Sequence, residues 1–271
     1  MNALRHLLLA LQFFTRIPLP QGVARRVGFS PAMQRAGLAY FPLVGMVVGA
    51  VGAGTFYGLL RGLPDAGASP WVAAVLSTIV TVMLTGAFHE DGLADLADGL
   101  GGHVSRERAL EIMKDSRIGS YGAIALVLAL LLKAGLLAAL AQAGAANAAW
   151  TLFAAHAFSR LMPVGVAAML PYVRQTQVSK SKDLASGTDW RIISGAVFWA
   201  ALALALAAWQ HPGPAWLGGM AGSALAWLAM CRLLRRRLQG YTGDALGATQ
   251  QVCELAFYLG LLLCLPAGAQ G

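Results

Sequence analysis
The amino-acid sequence predicts an all-α, polytopic membrane protein with about seven membrane-crossing helices. Composition is the first reason: 58% of residues are hydrophobic, only 12% are charged, and mean hydropathy is +0.63. Soluble domains sit nearer half apolar and a quarter charged. The second is the form of the apolar runs, which are long and lack two-residue alternation. Inside a bilayer the backbone must satisfy its own polar groups, and uninterrupted runs do so as helices. The third is the placement of basic residues, which gather in every second connection.

Taken in order, residues 1–33 read as an N-terminal interfacial segment. "MNALRHLLLALQFF" resembles a signal peptide, but it runs into "TRIPLP" without a small-residue cleavage pattern. It is expected to stay attached as an amphipathic helix, with crossing or lying on the bilayer left open. Seven spans follow, at about 38–60, 71–88, 120–142, 148–170, 192–209, 215–231 and 245–265. The first carries Gly45, Gly49, Gly52 and Gly54, small residues that let neighbouring helices approach closely. Loops this short leave no room for an added soluble domain, so residues 1–271 read as one membrane domain. Cys231, Cys253 and Cys264 form no C-x-x-C pair and are expected to be buried, inert thiols.

Orientation follows from the cations. Arg5, Arg16, Arg25, Arg26 and Arg35 precede the first span, and Arg106, Arg108, Lys114 and Arg117 follow the second. Arg174, Lys180, Lys182 and Arg191 follow the fourth, and Arg232, Arg235, Arg236 and Arg237 the sixth. Seventeen of the 20 thus fall on one side, against Arg61 opposite, with Lys133 and Arg160 inside spans. That side is expected to be cytoplasmic and the C-terminal end to lie opposite it. The net charge of +8 expresses this bias and calls for no nucleic acid. "CRLLRRRLQG" suits anionic lipid headgroups. A homo-oligomer is neither required nor excluded.

The acidic residues are as unevenly placed. Of 12 Asp and Glu, seven (Glu90, Asp91, Asp95, Asp98, Glu107, Glu111 and Asp115) fall in one window on the basic side, the expected acidic loop 89–119. On a helix Asp91, Asp95 and Asp98 stand at i, i+4 and i+7 and share a face. Glu111 and Asp115 repeat the i, i+4 spacing. Like charges so placed repel, by a few tenths of a kcal/mol per pair, roughly, unless a counter-ion intervenes. Mg²⁺ prefers carboxylate oxygen and keeps positions for phosphate and water. The pattern therefore favours a divalent-cation site over a solvated loop neutralised by Arg106, Arg108, Lys114 and Arg117. Asp91, Asp95, Asp98 and Asp115 are the candidates for metal and base work, their roles undivided. His89 is not expected to be a ligand, because Mg²⁺ rarely takes imidazole.

"FFTRIPLP", "FHEDGLADLADG", "RALEIMKDSRIGSYG" and "GYTGDALGA" resemble, in order, the signatures of the cobalamin synthase family, the adenosylcobinamide-GDP ribazoletransferases. The resemblance runs from about residue 8 to residue 262. It implies a multi-pass enzyme of the bacterial inner membrane that needs Mg²⁺. It further implies a reaction joining adenosylcobinamide-GDP to α-ribazole or its 5′-phosphate with release of GMP. A CDP-alcohol phosphotransferase acting on lipid, and a transporter, are the alternatives. The chain lacks the Arg that follows "DGxxA" in the CDP-alcohol pattern, and its second acidic pair is offset.

Substrate-holding candidates are His89, Glu90, Glu111, Arg117, Lys133, Arg160, Thr242 and Asp244. Asp244 also has a simple reading as an acidic N-cap of the last span. Lys133 and Glu254 lie at matching depths, about 18 and 15 Å in from the same side, and are expected to pair. Arg160, with Ser159 beside it, reads as a phosphate holder, and His156 as a packed, hydrogen-bonded histidine.

Overall fold
The computed structural model describes residues 2–28, 30–173 and 189–266. The expected cations Arg174, Lys180 and Lys182 lie outside them. The described residues are helical, without a strand; one isolated parallel bridge joins Tyr172 to Tyr241.

Three short helices, α1 (Asn2–Phe14), α2 (Gln21–Val27) and α3 (Pro31–Gly37), form the N-terminal segment. The Ser30 hydroxyl caps α3 by accepting from the Met33 amide at 3.1 Å, with Pro31 following. A 3₁₀ turn then leads into α4 (Phe41–Gly62), so a continuous run over Ala32–Gly62 is long enough to cross a membrane. α5 (Ser69–Thr85) has 17 residues, roughly 25 Å at 1.5 Å per residue, the lower limit for a span.

The second span was expected to reach residue 88. It stops earlier, because Gly86 (φ 68°) and Ala87 (φ 60°) are both left-handed and turn the chain by 90° into α6 (Phe88–Gly101). Glycine takes that conformation freely and ends the helix as a C-cap. The acidic loop of the sequence reading is therefore mostly helix: α6 and then α7 (Arg106–Ile112), set across the end of the bundle.

α8 (Ser120–Ala141) returns into the bundle, followed by α9 (Ala145–Ser159) and α10 (Leu161–Met169), which together form one span broken at Arg160. α11 (Trp190–Gln210), α12 (Ala215–Arg237) and α13 (Gly243–Leu263) complete the fold. Among the described residues six helical stretches are long and apolar enough to cross a membrane, and the number rises to seven if the bent pair of α5 and α6 is counted as one span.

Small residues set how closely the helices pack. A Cβ added at Gly49 of α4 would stand 2.8 Å from the Phe153 carbonyl oxygen of α9, and one at Gly52 would meet Thr81 of α5 at 2.7 Å. Gly54, expected in the same stripe, faces open space. Cys231 and Cys253 are buried as expected, whereas Cys264 is exposed, beyond the last turn of α13.

Candidate active site
Helix α6 carries the acidic motif, and three neighbours fix where it lies. Against α13 the contact is backbone on backbone: a Cβ at Gly92 would stand 2.7 Å from the Asp244 carbonyl oxygen. One at Gly247 would stand 3.3 Å from the His89 Cα. Against α8, the Asp98 carboxylate accepts from the amides of Gly119 at 2.7 Å and Gly122 at 2.8 Å. Asp98 thus caps the N-terminus of α8 from another helix, where an anion is favoured. From α12, the Arg237 guanidinium donates to the carbonyls of Leu100 at 3.2 Å and Gly102 at 2.9 Å, closing the C-terminal end of α6. Arg106 Nε answers with a 2.7 Å bond to the Leu238 carbonyl beyond α12. Two cations of the basic loops are therefore helix caps, and Arg237 is one of the run assigned above to lipid headgroups.

This framework gathers Asp91, Asp95, Asp98 and, from the start of α13, Asp244. Asp91 is exposed, and Asp95 and Asp98 are half-buried. Burial raises the Asp95 carboxyl to about 6, and the negative charges of Asp91, Asp244 and Asp98 push the same way. This crowd of hard oxygen donors suits a divalent cation that keeps places for phosphate and water. Among the described residues no three His, Cys, Asp or Glu side chains already converge as a ligand set.

Asp244 does not cap α13. The cap is Thr242, whose hydroxyl accepts from the Ala245 amide at 3.2 Å, and Asp244 sits in the first turn behind it.

The second acidic pair is not brought to the first. α7 ends at Ile112, so Asp115 falls in the following turn rather than one helical turn beyond Glu111. Glu111 pairs with Arg108 at 2.7 Å, and Asp115 with Arg117 at 2.6 Å. Arg117 is 86% exposed. Its hydrogen bonds hold the Asp115 carboxyl down at about 2. Each carboxylate of the expected second pair is engaged locally by an arginine within three residues. An exposed pair of this kind is screened by water and contributes little to stability.

His89 is buried, its ring stacked on Phe41 at 5.7 Å and on Phe14 at 6.3 Å, which ties "FFTRIP" to "FHEDG". Glu90 points into the bundle and accepts from Gln251 Nε2 at 3.0 Å. Deeper, Lys133 and Glu254 form the expected pair at 2.7 Å, both enclosed. Arg160 is buried below the site: one Nη1 donates to the His156 carbonyl at 2.8 Å and lies 3.1 Å from His156 Nδ1, with the guanidinium over Phe41. Gln250 and Gln251 were missed in the sequence reading. Adjacent amides inside an apolar span were the available signal, since unpaired carboxamides are costly there.

One stability expectation follows. Asp98→Ala strips the Gly119 and Gly122 amides of their acceptor and should cost about 1–2 kcal/mol. Thermal unfolding of the purified chain in detergent measures this; an unchanged midpoint removes the capping role.

The model of the cobalamin-5-phosphate synthase family matches residues 6–262. An adenosylcobinamide-GDP ribazoletransferase of Albidiferax ferrireducens is 50% identical, with 97% of this chain and 99% of the relative covered. The protein of that name from Polaromonas naphthalenivorans is 51% identical over the same shares. That of Vibrio cholerae is 43% identical, over 95% of this chain and 93% of the relative. No solved structure matches. The match covers all four motifs, and with it the α6, α8 and α13 elements that build the acidic site: this chain belongs to the cobalamin-5-phosphate synthase family.

Proposed function
We propose that this protein transfers the phosphocobinamide portion of adenosylcobinamide-GDP to α-ribazole or α-ribazole 5′-phosphate, releasing GMP. The observation that carries the reading is the gathering of Asp91, Asp95, Asp98 and Asp244 at one end of the bundle, within a chain whose relatives bear that activity's name. In the reaction a ribazole hydroxyl oxygen forms a bond to the phosphorus on the corrinoid's aminopropanol arm. The bond from that phosphorus to the GMP oxygen breaks, and the hydroxyl proton passes to a base.

Asp95 is our candidate base. It lies half-buried among the acidic side chains, and without a cation burial and those neighbours raise its proton affinity. Asp91 and Asp244, on either side of it, would hold Mg²⁺, which when bound neutralises the diphosphate. Asp98 positions α6 through α8. Positioning and charge neutralisation supply most of the rate in phosphoryl transfer. Arg117, Glu111 and Asp115 take no part in this scheme. The site faces the cytoplasm of a bacterial inner membrane, a placement supported by Arg106, Arg108, Arg117 and Arg237 at its end of the bundle. A reporter fused to the C-terminal end is then expected to be active only outside the cytoplasm, and cytoplasmic activity would overturn the seven-span count.

The deciding assay supplies purified protein in lipid with adenosylcobinamide-GDP, with and without α-ribazole 5′-phosphate. GMP should appear only when both are present. GMP release without the acceptor would indicate a hydrolase and end the proposal.

Acidity gives a second test. The folded Asp95 carboxyl titrates near 6, above its ordinary 3.8. Its ionisation therefore opposes folding above about pH 6, and that penalty is relieved as pH falls from 6 towards 3.8. A cation reverses the balance by favouring the ionised form. Mg²⁺ should thus raise the unfolding temperature more at pH 7.5 than at pH 5, and an equal effect at both would exclude Asp95 from the cation's surroundings.

A further inference from the structure
We propose that a buried chain of polar side chains, running from Lys133 on α8 to Glu90 on α6, is a positioning device. It fixes the rotation of α6 about its own axis and so sets where Asp91 and Asp95 face. The inference rests on the reading of α6 as the catalytic helix.

The chain is continuous. Lys133 Nζ lies 2.7 Å from Glu254 Oε1. Glu254 Oε2 accepts from Gln250 Nε2 at 2.6 Å, Gln250 Oε1 accepts from Gln251 Nε2 at 3.1 Å, and that same Nε2 donates to Glu90 Oε1 at 3.0 Å. Lys133, Gln250, Gln251 and Glu254 are all buried. The sequence of bonds has one direction. An ionised Glu254 accepts only, so it draws the amide nitrogen of Gln250; the Gln250 oxygen is then turned to Gln251, whose second hydrogen reaches Glu90. Ser159 Oγ, 3.0 Å from Gln250 Nε2, takes the remaining hydrogen of that amide. Lys133 beside Glu254 keeps the starting charge in place.

Stability alone is a poor reason for such a chain. A buried ion pair is commonly matched or bettered by apolar residues of the same volume, and ionisable groups within a membrane tend to serve function. What the chain supplies is direction. The Gly92–Asp244 and Gly247–His89 contacts are close but smooth, and the Asp98 bonds to the Gly119 and Gly122 amides hold α6 towards its C-terminal end, so the Glu90 contact is the hydrogen-bonded anchor at the end that carries Asp91. Successive helical residues point about 100° apart. With Glu90 held inward, Asp91 must face out, as it does, with Asp95 on the same face one turn later.

Three measurements on the full chain in lipid test this. Gln251→Leu should lower kcat for GMP release about tenfold or more while KM for adenosylcobinamide-GDP stays within about twofold; wild-type kcat would overturn the proposal. Gln251→Glu sets two carboxylates against each other and should be as poor. Adding Glu90→Gln relieves that clash but leaves Gln250 Oε1 without its donor, so kcat should recover only in part over Gln251→Glu; recovery to the wild-type rate would show that the bonds beyond Glu90 are dispensable and overturn the proposal. Finally, with spin labels at Phe88→Cys on α6 and at the exposed native Cys264, the pulsed-EPR distance distribution should be narrow in the parent and broad or shifted with Gln251→Leu. An unchanged distribution overturns the inference. This last measurement needs no turnover: absence of GMP release by the wild type defeats the function proposed above, and the distance still decides the positioning role.

Discussion
Asp95→Asn is expected to lower GMP release at least about a hundredfold, with Asp91→Asn close behind. Asparagine keeps the shape of the side chain, so α6 should still dock on α13 through Gly92 and on α8 through Asp98. It removes the charge that draws a cation and, at Asp95, the group able to take the hydroxyl proton. Of the three α6 aspartates, Asp95 is the one whose carboxyl is pushed up to about 6 by burial and its acidic neighbours. Asp91 is exposed and, among the described residues, its side chain is not hydrogen-bonded to a neighbouring helix, so its loss should leave stability intact and reveal a purely functional role. Turnover and the unfolding midpoint, measured on the same preparations, separate the two. Near-normal turnover in either variant removes that residue from the site. Asp115→Asn makes the contrast: with its carboxylate already bound by exposed Arg117, it should leave turnover within about twofold of wild type.

The second large effect concerns Lys133. Lys133→Met leaves Glu254 ionised and enclosed without its cation, which should cost about 3–5 kcal/mol. Glu254→Gln alone leaves the cation unpaired and should cost a similar amount. In the double variant neither charge remains, while the glutamine can still bond Tyr258 and Gln250, which lie 3.0 and 2.6 Å from the Glu254 oxygens. Its midpoint should return to within about 1 kcal/mol of wild type. Denaturation in mixed micelles gives all three values. Additive losses in the double would show that the two residues do not act as a pair.

The class of fold and the position of the acidic cluster were legible in the sequence because both rest on local composition. Lipid demands long apolar helices, and that demand is written in consecutive residues: the seven expected runs correspond to α4, α5, α8, α9 with α10, α11, α12 and α13. Asp91, Asp95 and Asp98 share a helix face by spacing alone, and Lys133 and Glu254 could be matched by depth. Glycine punctuation was only half readable. Gly86 ends α5 three residues early because its left-handed backbone, continued by Ala87, turns the chain, and nothing in an apolar run announces the angle.

What the sequence determined by itself is thus the membrane class, the family motifs and the clustering of the acidic residues. What only the tertiary structure decided is which charges meet. Asp244 joins the α6 carboxylates across 146 or more residues because Gly92 lets two backbones touch. Asp115 leaves them because α7 stops short and Arg117 lies two residues away. Asp98 caps α8, Arg237 caps α6, and Gln251 reaches Glu90. Spacing along one helix is set by its 3.6-residue period and can be counted. Pairing between helices depends on crossing angle and on competition from nearer partners, and those become definite only when the whole bundle packs.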